Sequence, residues 1–443
     1  MQIKRNVQHR WTSKRLISLS VAAVLCAPGW AFADDAREAA LEARIAELER
    51  LVNQLVQQQK AEPASASPQT TPASKPIMPG ANPGTQFSYG GFIKLDAMLT
   101  DTSDGEIADG SAARTLYVPG AIPVGGADEG TDLDMHAQFS RFWFSADTTL
   151  DSGDKLRGYL EFDLFGGALG SEAATNTYGV TIRHAYASWN NWLAGQTWSN
   201  FQDVAALPDA VDFIGPTEGT VFSRQAQIRY TSGPWSVAME NPETLVGGFG
   251  GSPGRIASDD NTLPDVTLRY TGKHANGHFS LAGILRELSY ENIASNIDDS
   301  RLGYGLSISG KQVINADNDI RYMLTGGLGI GRYLGLAAGN DAVIDADGDL
   351  DSVGMLAGFA AWRHVFSPGL RSNLYYSAAH YDNDTDLSGM GVTKRVHSLS
   401  GNLIWTVLPK LDVGVELRLA NRELESGADG DLRRLQLHAK YSF

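Results

Sequence analysis

The sequence predicts an all-β transmembrane fold: a sixteen-stranded antiparallel outer-membrane β-barrel preceded by a short periplasmic coiled-coil helix. Three observations carry this expectation. From residue 86 to the end, apolar and polar residues alternate with a period of two, as in strands with one greasy and one wet face. The connections between those strands alternate in length, seven short turns with eight long loops, as in an even barrel with both termini in the periplasm. The composition is too polar for a bundle of membrane helices, at 42% hydrophobic residues and a mean hydropathy of −0.20. Glycine (48) and aromatics (9 Trp, 15 Tyr, 16 Phe) are abundant, which suits tight turns and interfacial girdles.

Residues 1–33 read as a secretory signal. Lys4, Arg5, Arg10, Lys14 and Arg15 form its charged region, Leu16 to Ala27 its apolar region, and Ala31-Phe32-Ala33 the cleavage site. The chain's one cysteine, Cys26, lies inside this segment, so the mature protein has no disulfide, thiolate metal site or cysteine nucleophile. The whole chain holds 36 basic and 51 acidic residues, and the signal holds five of the basic ones, which leaves the mature chain at −20. Such a balance argues against nucleic acid as a partner.

Residues 34–61 read as a coiled-coil helix. Leu41, Ile45, Leu48, Val52 and Leu55 are spaced as a heptad seam with charges on the flanks. A seam of about two heptads is marginal alone and gains stability by self-association, for which three copies are expected. A single amphipathic helix packed on the domain is the alternative. Residues 62–85, rich in Pro, Ala, Ser and Thr, form a semi-extended linker.

The barrel occupies 86–443. Its strands are expected near 86–99, 135–148, 155–165, 178–189, 192–198, 221–231, 235–240, 264–272, 278–288, 301–311, 319–332, 352–365, 369–381, 394–407, 411–420 and 432–443. In 411–419, Leu411, Val413, Val415, Leu417 and Leu419 share one face, with Asp412, Glu416 and Arg418 opposite. In water the greasy face would have to be covered by protein, whereas lipid covers it at no cost. Strands near 192–198 and 352–365 alternate poorly, as if both faces were covered, and a subunit contact is the expected cause.

Particular stretches look familiar. Gly91-Phe92-Ile93-Lys94-Leu95-Asp96-Ala97 opens the first strand, and Ser140-Arg141-Phe142-Trp143-Phe144 and Leu156-Arg157-Gly158-Tyr159-Leu160-Glu161-Phe162-Asp163 follow. Then come Arg183-His184-Ala185-Tyr186-Ala187-Ser188-Trp189 and Ala194-Gly195-Gln196-Thr197-Trp198-Ser199. With the heptad helix, these resemble the DcaP-like outer-membrane porins. The resemblance implies a homotrimeric, sixteen-stranded diffusion channel in the outer membrane of a Gram-negative cell, with its coiled coil in the periplasm. It also implies a preference for small anions such as dicarboxylates. No enzymatic role and no cofactor are expected.

Site residues follow from strand parity. Lys94, Arg141, Arg157, Arg229, Arg269, Arg286, Arg301, Arg321, Arg371 and Arg418 fall on the polar faces and are expected to line the pore. Arg183 is ambiguous, because His184 and Tyr186 compete with it for the outward face. Fixed guanidinium groups lower the energy of an anion inside a low-dielectric wall, and arginine grips a carboxylate at two points. Cross-strand pairing with Glu161, Asp163, Asp412 or Glu416 would instead make such arginines mere wall braces. The loop 199–220, with Phe201, Asp203, Asp209 and Asp212, is expected to fold inward and narrow the bore, with its acids opposite the arginines. The remaining acids concentrate in long loops, such as Asp101 to Asp132 and Asp341 to Asp351, where salt screens them.

Other signals are weak. Asp345 to Asp351 resembles the start of a calcium loop, but its glycine is misplaced and Leu356 stands where Glu belongs. No metal site is expected. A non-selective or structural envelope barrel anchored through its N-terminal helix is the alternative function, and a barrel enzyme with a Ser-His pair is a third class.

Overall fold

The computed structural model describes residues 84–443 other than 129, 168–173 and 253. The expected signal, coiled coil and nearly all of the linker lie outside the described residues.

The chain from Thr85 onward forms one antiparallel sheet of seventeen strands that closes on itself. Closure joins the first strand, Thr85–Thr102, to the last, Asp429–Ser442, in register from Phe92 opposite Ser442 to Thr102 opposite Leu432. Two of the seventeen, Thr131–His136 and Arg141–Thr149, are halves of one stave, because both pair with the first strand. The barrel therefore has sixteen staves. Closure leaves the sheet without a free edge strand, which a wall in hydrocarbon requires. No helix among the described residues is long and apolar enough to cross a membrane.

The alternation read in the sequence sorts side chains between the two surfaces. In the last strand Leu435, Leu437 and Tyr441 point out, whereas Arg434, Gln436 and His438 are buried inside. In the first strand Ile93, Leu95 and Leu99 face out and Lys94, Asp96, Met98 and Thr100 face in. Outward apolar residues suit lipid and inward polar ones suit a solvated or paired interior.

Two expected long loops are much shorter than the sequence implied. In place of 289–300 and 421–431, the strands run on to Asn292 and Leu424 and resume at Ile297 and Asp429. The polar residues there pair across the ladder as well as apolar ones do, for example Ser289 opposite Ser300. Asn296, in the left-handed region at φ 54°, closes the first of these hairpins. Loops 241–264 and 329–353 build a second, four-stranded sheet from Thr244–Gly247, Ile256–Ser258, Ala342–Ile344 and Leu350–Ser352.

The interior is packed to a degree the sequence reading did not foresee. The strand Gly354–Ser367 turns Met355, Ala357, Phe359 and Ala361 inward onto Phe201, Val221, Tyr333 and Leu334 of two loops. This cluster, within one chain, explains why that stretch is apolar on both faces. A subunit contact is not needed to explain it.

Gly91 marks the seam. Its amide and carbonyl bond Phe443, while a Cβ on it would lie 2.1 Å from the Arg141 carbonyl oxygen. Gly91→Val is expected to cost on the order of 2–3 kcal/mol. The readout is the temperature at which the folded, fast-migrating band disappears from unboiled detergent gels. It should fall by several degrees, and an unchanged band would show that the seam tolerates a side chain.

Candidate functional site: an inward loop and an arginine wall

Residues 199–223 leave the strand Trp192–Trp198 and run along the inner wall. Their main chain and acids are held by inward residues from many staves. The Asn200 amide donates to Glu240 at 2.8 Å. Asp203 lies 2.8 Å from His278 Nε2 and accepts from Ser309 at 2.9 Å. The Leu207 carbonyl accepts from Arg321. The Val211 carbonyl accepts from Lys94 at 2.7 Å and its amide donates to Glu416 at 2.8 Å. Gly215 O accepts from Arg418 at 2.8 Å and the Gly219 amide donates to Ser377 at 2.8 Å. At Gly219 the loop presses on the wall backbone to backbone, since a Cβ there would lie 2.1 Å from Gly358. Phe201 is buried edge-on against Tyr333.

The loop acids face the wall. Asp209 meets Arg371 at 3.2 Å and Arg363 at 3.6 Å. Asp212 accepts the Tyr117 amide at 3.0 Å and those of its own loop. The residues of the loop most open to the interior are instead Val204 and Ala205. The expected mechanism, arginines across the bore from loop acids, therefore needs correction: the acids neutralise the wall that carries the loop.

Most of the arginines singled out by parity have acid partners. Arg286 is fully buried between Asp341 at 3.0 Å and Asp265 at 3.4 Å. Arg418 meets Glu416 at 3.2 Å beneath the Tyr117 ring. Arg321 pairs with Asp319 at 2.8 Å, Arg371 also with Asp412 at 3.2 Å, and Lys94 with Asp96 at 2.8 Å. Arg157 reaches Asp147 at 3.6 Å near the short-turn end. Arg301, half exposed at the long-loop end, pairs with Asp299 at 3.4 Å and donates to Leu350 O. Arg183 is resolved by a register shift between its strand and Lys155–Asp163. That shift buries both Arg183 and His184, and Arg183 holds Glu161 and Asp163 at 2.9 Å each. Arg141 shares Glu161 at 3.5 Å.

Arg229 and Arg269 differ. Arg229 donates to Gln227 and the Trp198 carbonyl, and Arg269 to the Gln202 carbonyl. Among the described residues neither has an acid within 4 Å. Glu240, which acts on both, is taken up by Asn200, Gln225 and Thr267, and Asp203, which acts on Arg269 first, by His278 and Ser309. Arg224, which parity reasoning missed, also lacks an acid partner and lies 4.9 Å from the Trp198 ring centre. Its position at the very start of its strand, Arg224–Ser232, hid it from a face-by-face reading. Arg363 was missed because its strand alternates poorly. Asp341, counted from sequence among outer-loop acids, is fully buried on Arg286. Among the described residues no group of three or more His, Cys, Asp or Glu is placed to hold a metal ion.

A family model described as DcaP outer membrane protein matches residues 30–443. Among solved structures, the chain is similar to the outer membrane channel DcaP of Acinetobacter baumannii. They are 24% identical with a TM-score of 0.67, over 81% of this chain and 98% of that one. It is also similar to a loop L8 deletion mutant of OmpT from Vibrio cholerae, at 14% identity and TM-score 0.50, over 81% and 100% of the two chains. An anion-selective porin from Comamonas acidovorans matches at 10% identity and TM-score 0.50, again over 81% and 100%. At these identities the likeness establishes the fold. No curated protein matches.

Asp209 supplies the test of the wall's charge balance. Asp209→Asn removes the acid shared by Arg363 and Arg371. The chloride-over-potassium permeability ratio from reversal potentials should rise roughly twofold, as expected for charge gained at a low-dielectric wall. An unchanged ratio would place Asp209 away from the ion path.

Proposed function

The chain belongs to the DcaP outer membrane protein family, and from that premise we propose that it is a passive diffusion channel for small anionic, dicarboxylate-like solutes. The observation that carries the selectivity is the set Arg224, Arg229 and Arg269. Arg229 and Arg269 lie near each other across the stave Trp235–Glu240, whereas Arg224 lies at the start of its strand against Trp198, and none of the three has an ion-pair partner among the described residues. An unneutralised guanidinium in a wall surrounded by hydrocarbon attracts an anion over a longer range than it would in bulk water. The remaining cations, Lys94, Arg141, Arg157, Arg183, Arg286, Arg301, Arg321, Arg371 and Arg418, act mainly as braces that shape the bore and fix the inward loop. That loop, with Phe201, Asp203, Asp209 and Asp212, narrows the path by bulk, and its acids hold it to the wall. Solute passes between the loop's small apolar face and the free arginines, driven only by its gradient.

The same reading makes the native unit a homotrimer with its coiled coil in the periplasm. Support comes from one side of the barrel, where five consecutive strands from Lys155–Asp163 to Trp235–Glu240 have nine residues or fewer. Their outward surface carries small residues, Gly158, Ala185, Ala187 and Ala194, against which a second copy can lie close. Crosslinking of detergent-purified protein should give a ladder that ends at three, and a ladder ending at two would reject the trimer.

Selectivity is tested by planar-bilayer reversal potential in a potassium chloride gradient. The parent channel should prefer chloride. Replacing both Arg229 and Arg269 with Gln should reduce the permeability ratio by about threefold or more. Cation preference in the parent would overturn the reading, and equal permeability would leave a non-selective barrel.

A further inference from the structure

At the long-connection end, residues Gly250, Gly251, Gly254 and Arg255 and the loops 336–340 and 383–393 enclose a second feature that the reading above does not use. It is a cavity of about 550 Å³, partly open to the outside. Arg255, Arg422, Asn340, Asn383, Ser388 and Thr393 supply its polar side chains, and no carboxylate lines it. Arg255 Nε donates to Asn340 at 2.7 Å, while its two terminal nitrogens have no partner among the described residues. Arg422 donates through Nε to Thr393 and through Nη1 to the Ile122 carbonyl, both at 3.0 Å, and its Nη2 has no partner among the described residues. Both guanidinium groups belong to the lining of this one cavity.

Asp384 and Asp386 of the loop 383–393 lie outside the cavity lining, and two other acids nearby are committed elsewhere. Asp341, which acts on Arg255, holds Arg286 and the main-chain amides of Leu245 and Arg332. Glu425 sits behind Asn383, which donates to it at 2.9 Å. Beneath the cavity floor Tyr381, whose ring packs on Gly339, has a buried hydroxyl without a hydrogen-bond partner. Two guanidinium groups facing one cavity with no carboxylate in its lining attract an anion.

We propose that this cavity is an outer capture site for small solutes bearing two anionic groups, one gripped by Arg255 and the other by Arg422. A monoanion neutralises only one of the two guanidiniums, whereas a dianion neutralises both. Two-point contact between arginine and carboxylate favours such groups. Asn340, Asn383, Ser388 and Thr393 offer further hydrogen bonds to the solute's oxygens. The volume lies within the range of about 300–1,000 Å³ usual for small-molecule sites. The inference rests on the anion-channel reading and deepens it, because it names a first binding station outside the arginine wall.

The experiment uses the full mature protein in planar bilayers, with succinate as the dianion probe and acetate as the monoanion. Succinate added on the long-connection side should interrupt the chloride current. In Arg255→Gln/Arg422→Gln the rate of interruption should fall by at least about tenfold from that side, with no change from the other side. Arg255→Gln alone, at an exposed loop position whose side chain bonds only Asn340, should give a partial loss even if the double variant folds poorly. Interruption rates unchanged in both variants, or acetate as effective as succinate, would overturn the capture site. Loss of chloride preference in the parent channel would instead overturn the anion-channel reading, so the two failures are distinguishable.

Discussion

A cation inside a tube walled by hydrocarbon must be answered by a nearby negative charge, or it remains a standing attraction for one. This electrostatic demand orders most of what the barrel interior contains. Arg286 between Asp265 and Asp341, Arg183 between Glu161 and Asp163, and Arg418 beside Glu416 are answered within the chain. Desolvation makes such pairs poor sources of net stability, but breaking one by removing a single partner is costly. Their role is therefore to fix geometry. Asp341 shows how far the effect extends: through Arg286 and the amides of Leu245 and Arg332 it ties two outer loops to the wall.

The inward loop follows the same logic. Nothing in residues 199–223 is strongly helical or strand-like, and the segment buries main-chain groups that would be unsatisfied without partners. The wall supplies those partners. Lys94 and Gln436 converge on the Val211 carbonyl, Asn402 on that of Asp209 and Arg418 on that of Gly215. The polar inner face of the barrel is thus a receptor for its own loop, and a residue on that face need not touch solute to matter for conduction.

The division between what the sequence disclosed and what it withheld follows from the range of the forces involved. The outward row Leu435, Leu437 and Tyr441 and the inward row Arg434, Gln436 and His438 were legible because strand parity is local. So were the tight turns at Asn190-Asn191 and Gly233-Pro234. The interruption at 137–140 within the second stave was not, since it depends on Phe139 stacking on Phe213 from the inward loop. Parity placed Arg229 and Arg286 on the same kind of face, yet one lacks an acid and the other has two. That difference is set by residues up to 55 positions away in the chain and has no local signature. Arg255 and Arg422 line one cavity only because loops distant in sequence come together around it.

The low side of the wall has a further consequence. A strand of six residues such as Trp235–Glu240 is about 20 Å long. Tilted by about 45°, it covers roughly 14 Å of membrane depth, against an apolar band of about 25 Å. Acyl chains beside it would have to compress well below their relaxed thickness, whereas the fourteen-residue strands across the barrel span the hydrocarbon in full. The mismatch makes annular lipid a poor neighbour on one flank alone, so the molecule has a built-in orientation within the plane of the bilayer.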